Sequence, residues 1–285
     1  MLFGIREICD VVFKAKTKVQ MGNLTFKPGQ PVLYIDSAKT STLEQASSTS
    51  YATGGKGNSR LITWEGEKTL TFTVEDALLS ELGFAILSGA GLFEAATGNP
   101  VYVHTTAKEI VKDGKINLAD ELGDNNEIDS DSPVFVMTMA HGSITGMLSD
   151  LEVGTDKKSI TGEGLVEGQE VFVDFYVKKE SGATEMTIGA ENFAGYYYVE
   201  ASTLFRRQSD GKDLPAELVF PNVKVQSNFT FNMAATGDPS TFSFVMDAMP
   251  GYTLFDRTKK VLCAMCVVKE DDESIDDEIV DSIKD

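Results

Sequence analysis

Few side chains in this sequence carry the chemistry that catalysis or metal binding needs, and those few are poorly spaced for it. His104 and His141 are the two histidines among 285 residues. Neither sits beside a nucleophile motif, and no G-x-S-x-G or H-E-x-x-H occurs, so both read as structural. Cys263 and Cys266 have C-x-x-C spacing but lie in a run with strand propensity. Residues three apart on a strand point to opposite faces, so the two sulfurs would not converge. A lone C-x-x-C is also too few ligands for zinc. The pair reads as two small buried hydrophobes.

Asp124, Glu127, Asp129 and Asp131 raise a calcium hypothesis that the spacing removes. Ile128 stands where an EF-hand loop needs an oxygen, and the turn glycine is missing. The cluster reads as a solvated acidic loop. Gly54, Gly55, Lys56 and Gly57 lack the G-x-x-x-x-G-K-[ST] spacing of a phosphate loop. Asn228, Phe229 and Thr230 match a glycosylation sequon, which carries no weight without a secretion signal. No catalytic, cofactor-binding or metal-binding residue is assigned, and the protein is not expected to be an enzyme.

The charge is more informative. A formal −19 with an isoelectric point near 4.5 gives a surface that repels nucleic acid and anionic membranes. Three cysteines in so long a chain argue against a disulfide framework and for a reducing compartment. The first eighteen residues carry charges through their apolar positions, unlike a signal peptide. No apolar run approaches the length of a membrane-spanning helix. Synthesis and folding in cytoplasm are expected.

The elements that would position any site are mostly strands. Residues 61–89 are the exception, where the period changes. Leu70, Phe72 and Val74 alternate with Thr69, Thr71 and Thr73 as a half-buried strand does. Leu78, Leu82, Ala85 and Ile86 then recur at helical spacing. Residues 73–76 supply a capping-box-like start, and Gly89 a left-handed C-terminal cap. In that reading Leu78, Leu82 and Ile86 pack on the sheet, leaving Leu79, Glu81 and Phe84 to a neighbouring molecule. Before this unit, residues 36–60 form a long Ser/Thr/Gly-rich loop with Leu43 and Tyr51 as its large apolar anchors. A loop of that length is functional or disordered, and an arm that orders against a partner is the expectation.

Strands are expected at 10–16 and 31–35, then at 99–106, 134–140 and 170–178. Further runs fall at 196–200, 204–207, 216–220, 223–233, 241–247 and 261–268. A hairpin turn is expected at 237–240, between Phe229, Phe231, Met233 and Phe242, Phe244, Met246. Asp210 and Gly211 mark another turn. The fold class is mainly β: an antiparallel sandwich or barrel with one flanking helix. Residues 1–268 read as one such domain, with an acidic connection at 113–132 and an acidic, flexible tail at 269–285. In the tail, Ile275, Ile279 and Ile283 keep helical spacing.

Residues 64–79, 166–177 and 195–250 resemble the tail tube proteins of long-tailed bacteriophages, over about a third of the chain. The order of strand, helix, several strands and a closing hairpin carries the resemblance. It implies six subunits per ring, and stacked rings forming a hollow tube through which the genome passes without specific binding. It also makes 36–60 the arm that contacts the adjacent ring. Thr40, Leu43, Tyr51 and Arg60 on the arm, with Leu79, Glu81 and Phe84 at its base, are the expected assembly interface. The implied partners are further copies of the chain and other tail proteins: a sheath if the tail contracts, a baseplate and a terminator. The implied location is the virion tail, after assembly in host cytoplasm. The alternatives are a related ring-forming component (terminator, baseplate hub or secretion-system tube) and a β-sandwich binding module.

Overall fold

A computed structural model describes residues 2–269 except Asn125, Asn232, Ala234 and 237–239. The acidic tail beyond Lys269, and three of the four residues of the expected turn at 237–240, lie outside the described residues.

The chain opens with β1 (Phe3–Ile5), β2 (Asp10–Ala15), β3 (Val19–Met21), β4 (Leu24–Phe26) and β5 (Pro31–Ile35). Two long strands follow, β6 (Ala38–Gly54) and β7 (Ser59–Asp76), then α1 (Glu81–Ser88) and β8 (Gly91–Glu94). Next come β9 (Val101–Ile110), β10 (Lys115–Asn117), α2 (Ala119–Leu122), β11 (Phe135–Ala140), β12 (Ser143–Leu148), β13 (Leu151–Val153), β14 (Ser159–Gly162) and β15 (Glu170–Lys179). The chain ends with β16 (Thr184–Thr187), β17 (Tyr196–Arg207), β18 (Asp213–Val225), β19 (Phe242–Ala248) and β20 (Ala264–Val267). The architecture is mainly β, with antiparallel pairing throughout the assigned registers and a helix flanking the larger sheet.

From sequence, residues 1–268 read as one domain. Packing gathers the described residues into two compact units, one of 2–92 with 186–269 and one of Phe93–Glu185. The first holds a nine-stranded sheet ordered β5-β2-β17-β18-β19-β7-β6, with β1 beside β17 and β20 beside β18. Its inward residues follow the period-2 pattern: β2 buries Val11, Phe13 and Ala15, and β7 buries Leu70, Phe72 and Val74. Phe72 stacks on Phe220 with ring centroids 4.9 Å apart, and Phe13 meets Tyr197 edge-on at 5.8 Å. These rings and Ala85, Ile86 and Leu87 of α1 belong to one core. Full burial of each Phe, Ile or Leu side chain among them is worth about 1.5–3 kcal/mol.

The second unit has a four-stranded sheet, β12-β11-β15-β9, and a three-stranded one, β10-β14-β13. Val171, Val173 and Phe175 of β15 bury against Ile116, Leu118, Ile128 and Ile160. The acidic connection at 113–132 is therefore more than a solvated loop. It forms β10 and α2, and its four large apolar side chains Ile116, Leu118, Leu122 and Ile128 complete this core. Its other charges face water between them, Asp129 alone being buried at 8% exposure among the described residues, which is why the stretch reads as polar.

Three other boundaries differ from the sequence reading. The runs at 196–200 and 204–207 are one strand, β17, and 216–220 joins the start of 223–233 as β18. Phe229 and Phe231 are not in a strand. Their rings close on Phe84 of the helix at 5.6 and 5.7 Å, so aromatic packing outcompetes continued pairing there. The hairpin partner of β19 is β18, through Val223–Val225. Finally, the helix starts later than the expected cap at 73–76. β7 runs to Asp76, whose carboxylate accepts from Ser37 Oγ at 2.5 Å and Leu78 N at 3.2 Å. Ser80 is the N-cap, its Oγ accepting from Gly83 N at 3.0 Å. Gly89 ends the helix at φ 69°, as expected. A Cβ there would lie 2.5 Å from Phe193 C, so two constraints demand glycine.

Candidate assembly surface

Residues 36–60 are not a loop. They hold the whole of β6, the turn after it and the first two residues of β7, and β6 pairs with β7 in a hairpin from Ala38↔Asp76 to Gly54↔Ser59. The turn is built by Gly55, Gly57 and Asn58, all at positive φ, and is closed by Asn58 N–H to Gly55 O at 3.2 Å. Gly54 to Gly57, which lack phosphate-loop spacing, thus lie at or beside a hairpin turn.

The hairpin has two parts with different surroundings. From Thr71 to Asp76, β7 has β6 on one side and β19 on the other. Beyond Thr71 it pairs with β6 alone, and β6 is an edge strand of the sheet. Twelve residues of β7, 59–70, at about 3.3 Å each make this two-stranded arm about 40 Å long. Every residue from 42 to 51 and from 55 to 69 is exposed.

Directly paired residues share a face. Ser50 pairs with Trp64 and Ala52 with Ile62, so Ala52, Ile62 and Trp64 make one apolar face. Ile62 is 55% exposed and Trp64 52%. On the opposite face Tyr51 pairs with Thr63 and Thr49 with Glu65. There the Arg60 guanidinium sits 4.0 Å over the Tyr51 ring, and Thr49 Oγ1 donates to Tyr51 Oη at 3.1 Å. Ser48 Oγ accepts from Glu67 N at 2.9 Å where the register shifts. Leu61, 65% exposed, adds apolar surface at the register shift, and from 51 to 60 the arm's end carries Lys56 and Arg60 with no carboxylate.

The structure unites some of the expected interface residues and separates others. Tyr51 and Arg60 meet at the arm's end; Leu43 lies half-exposed opposite Phe72, and Thr40 is exposed opposite Glu75. Glu81 is exposed in the first turn of α1. Leu79 and Phe84 do not join this surface. Leu79 packs on the core of its own unit, and Phe84, 8% exposed, is enclosed by Phe229 and Phe231. Leu78, expected inward, is 69% exposed. The helix begins at Glu81, so Leu78 precedes it and the assumed stripe is rotated. Sequence reasoning missed Ile62 and Trp64 as arm residues. The signal was present: Leu61, Ile62 and Trp64 stand among Thr, Gly and charged residues, with no apolar residue from 65 to 69 to continue them.

The residues first considered for chemistry are dispersed. His104 Nε2 lies 3.0 Å from Asp174 Oδ2 on the exposed face of the β9–β15 pair. His141 occupies the β11–β12 turn at φ 51°, followed by Gly142 at 77°. Cys9 is buried and its thiol is pushed up by desolvation. Burial also pushes the Cys263 thiol up to about 11, which keeps it protonated. Cys266, expected to be buried, is exposed on β20. Among the described residues no three His, Cys, Asp or Glu side chains are grouped to hold a metal ion, and no helix is long and apolar enough to cross a membrane.

Compared with family models, residues 3–259 match the one described as the YomU/Tube protein family. No curated protein matches the chain.

Proposed function

The chain belongs to the YomU/Tube protein family, and from that membership we propose that it is a structural subunit of a phage tail tube. Copies close into rings of six, and rings stack into a hollow tail tube that delivers the genome. The observation that carries this reading is the two-stranded arm at the end of β6 and β7. An isolated two-stranded ribbon is marginal in water, because neither face has a core to pack on. Its apolar Ala52–Ile62–Trp64 face needs a surface that its own unit does not supply, and a second copy of the chain supplies one. The edge strands β5 and β6 offer unpaired backbone groups to neighbours within a ring.

The acidic balance fits passage of a polyanion. A chain at −19 gives an assembly that repels phosphates, so DNA would slide instead of binding. A DNA-retention assay at low salt checks this: purified tubes should hold no DNA, and a lumen lined by Lys and Arg would defeat the idea. The sheath, baseplate and terminator of a tail would be the further partners, and the virion the location.

Negative-stain electron microscopy of the concentrated protein tests the main reading. Long tubes of uniform width are expected. Isolated rings would favour a terminator, baseplate-hub or secretion-system component, and monomers that never associate would sink the assembly reading.

A further inference from the structure

Within the first unit, the chain between β19 and β20 is tied into a closed loop. Gly251 and Val261 exchange backbone hydrogen bonds of 3.0 and 2.8 Å. The loop they close presents Phe255, 97% exposed, beside Leu254, which is half-exposed. Arg257, Lys259 and Lys260 follow on its surface. Its single acid, Asp256, is occupied by Thr258, whose backbone N–H and Oγ1 both donate to Oδ1.

Beside the loop is an open cleft of about 630 Å³, lined among others by Lys14, Lys16, Tyr198, Tyr252, Arg257 and Lys260 and by no carboxylate. Lys14 has Glu200 as a partner. Among the described residues no carboxylate forms an ion pair with Lys16, Arg257 or Lys260. Lys16 Nζ donates to Asn222 Oδ1 at 2.6 Å, and partial burial holds its ammonium below the usual lysine range. Lys260 Nζ lies 5.6 Å from the centre of the Tyr252 ring. In a chain carrying 44 acidic and 25 basic residues, such a gathering of cations without carboxylates is a selective surface for an anionic partner.

The sequence contains a segment of matching chemistry. Residues 270–285 hold nine Asp and Glu against one Lys, with Ile275, Ile279 and Ile283 at i, i+4, i+8 spacing. We propose that this acidic C-terminal segment docks on the cationic cleft, setting its carboxylates against Lys16, Arg257 and Lys260 and its isoleucines against Tyr252, Leu254 and Phe255. Reach permits it. Val268 N–H bonds Pro215 O, and Pro221 in the cleft wall lies six residues along β18, about 20 Å away. Sixteen extended residues reach about 55 Å, enough for the cleft of the same copy or of an adjacent one. The proposal stands whether or not the chain forms tubes.

Zero-length carbodiimide coupling of the full-length protein, mapped by mass spectrometry, tests it. Carboxylates from 270–285 should couple preferentially to Lys260, Lys16 or Lys14. Surface ion pairs are screened by salt, so the yield should fall roughly tenfold between 50 mM and 1 M NaCl. A similar loss is expected in Arg257→Glu, and a smaller one when Ile275, Ile279 and Ile283 are changed to Ser. Mixing isotopically labelled and unlabelled copies assigns the docked segment to its own chain or a neighbour's, either of which agrees with docking. Coupling spread over the lysines with no excess at the cleft would overturn the proposal, as would a cleft yield indifferent to salt and to Arg257→Glu.

Discussion

The two ends of one hairpin live in different physical worlds. At its base, β7 is an interior strand of the nine-stranded sheet, and alternate side chains vanish into the core. At its far end the same two strands have only each other, and both faces meet water. Base residues are held by burial, whose worth is about 25 cal/mol per Å² of apolar surface. End residues are held by backbone pairing and cross-strand contacts of about 0.2–1 kcal/mol each. A strand pair so weakly secured is maintained by the strands it continues from, and it gains most when a second surface covers it. On the proposed assembly, stability and association are thereby separated along a single element.

The largest expected effect comes from attacking the base. Phe72→Ala removes a ring that is 1% exposed and stacked on Phe220, and should cost about 3–5 kcal/mol in urea unfolding. A loss below about 1 kcal/mol would mean that the base is no better anchored than the arm. The helix beside it extends the contrast. Phe84→Ala should cost a comparable amount, about 3–5 kcal/mol, because Phe229 and Phe231 enclose it. Leu78→Ala, at a residue 69% exposed, should stay within about 0.5 kcal/mol. A larger loss for Leu78→Ala than for Phe84→Ala would restore the helical stripe expected from sequence, in which Leu78 faces the sheet and Phe84 faces out. Ser80→Ala removes the N-cap bond to Gly83 N and should cost about 1 kcal/mol.

A second hairpin end sharpens the comparison through pH. The β17–β18 turn is pinned by Arg207, whose Nε and Nη2 both donate to the Asp210 carboxylate. That guanidinium holds Asp210 down to about 2, below the ordinary 3.8. A depressed folded-state value means the stabilisation is complete above about pH 4 and is lost as pH falls towards 2. Thermal melting should therefore decline over that window, and Asp210→Asn should flatten this part of the profile. No carboxylate pins the β6–β7 turn from 51 to 60, so cleavage by protease should begin there and not at Gly211. Equal cleavage at both turns would deny the difference.

What could be read from sequence follows the same division. Alternation such as Leu70, Phe72, Val74 arises only where one face is buried and the other wet. The base of β7, β2 and β15 were legible for that reason, while the Gly89 cap and the turn at Gly211 were legible from glycine alone. The arm left no such trace. With both faces exposed, selection imposes no period, and Ser, Thr and Gly in β6 look like a loop. The acidic connection was misread for a related reason: four buried residues, Ile116, Leu118, Leu122 and Ile128, are spaced too irregularly to form a stripe. Helix orientation depended on a start point that the Asp76 side chain moved by bonding Ser37, a residue 39 positions away. No local pattern encodes such a contact.

The smallest effect on the monomer should accompany the largest effect on assembly. Ile62→Ser with Trp64→Ser strips the apolar face of the arm while leaving its turn, its Tyr51–Arg60 contact and the base untouched. Both side chains are more than half exposed, so unfolding free energy should change by less than about 0.5 kcal/mol. Polymer length in electron micrographs should nonetheless collapse, because an interface loses its aromatic and aliphatic anchors together. The paired control is Tyr51→Ser with Arg60→Ser on the opposite face. If the apolar face is what a neighbour covers, the control should shorten tubes less than the first variant does. Should the control be the more damaging of the two, the polar face is the buried one. The arm would then dock through its cation–aromatic pair, with Ile62 and Trp64 turned to solvent in the assembly.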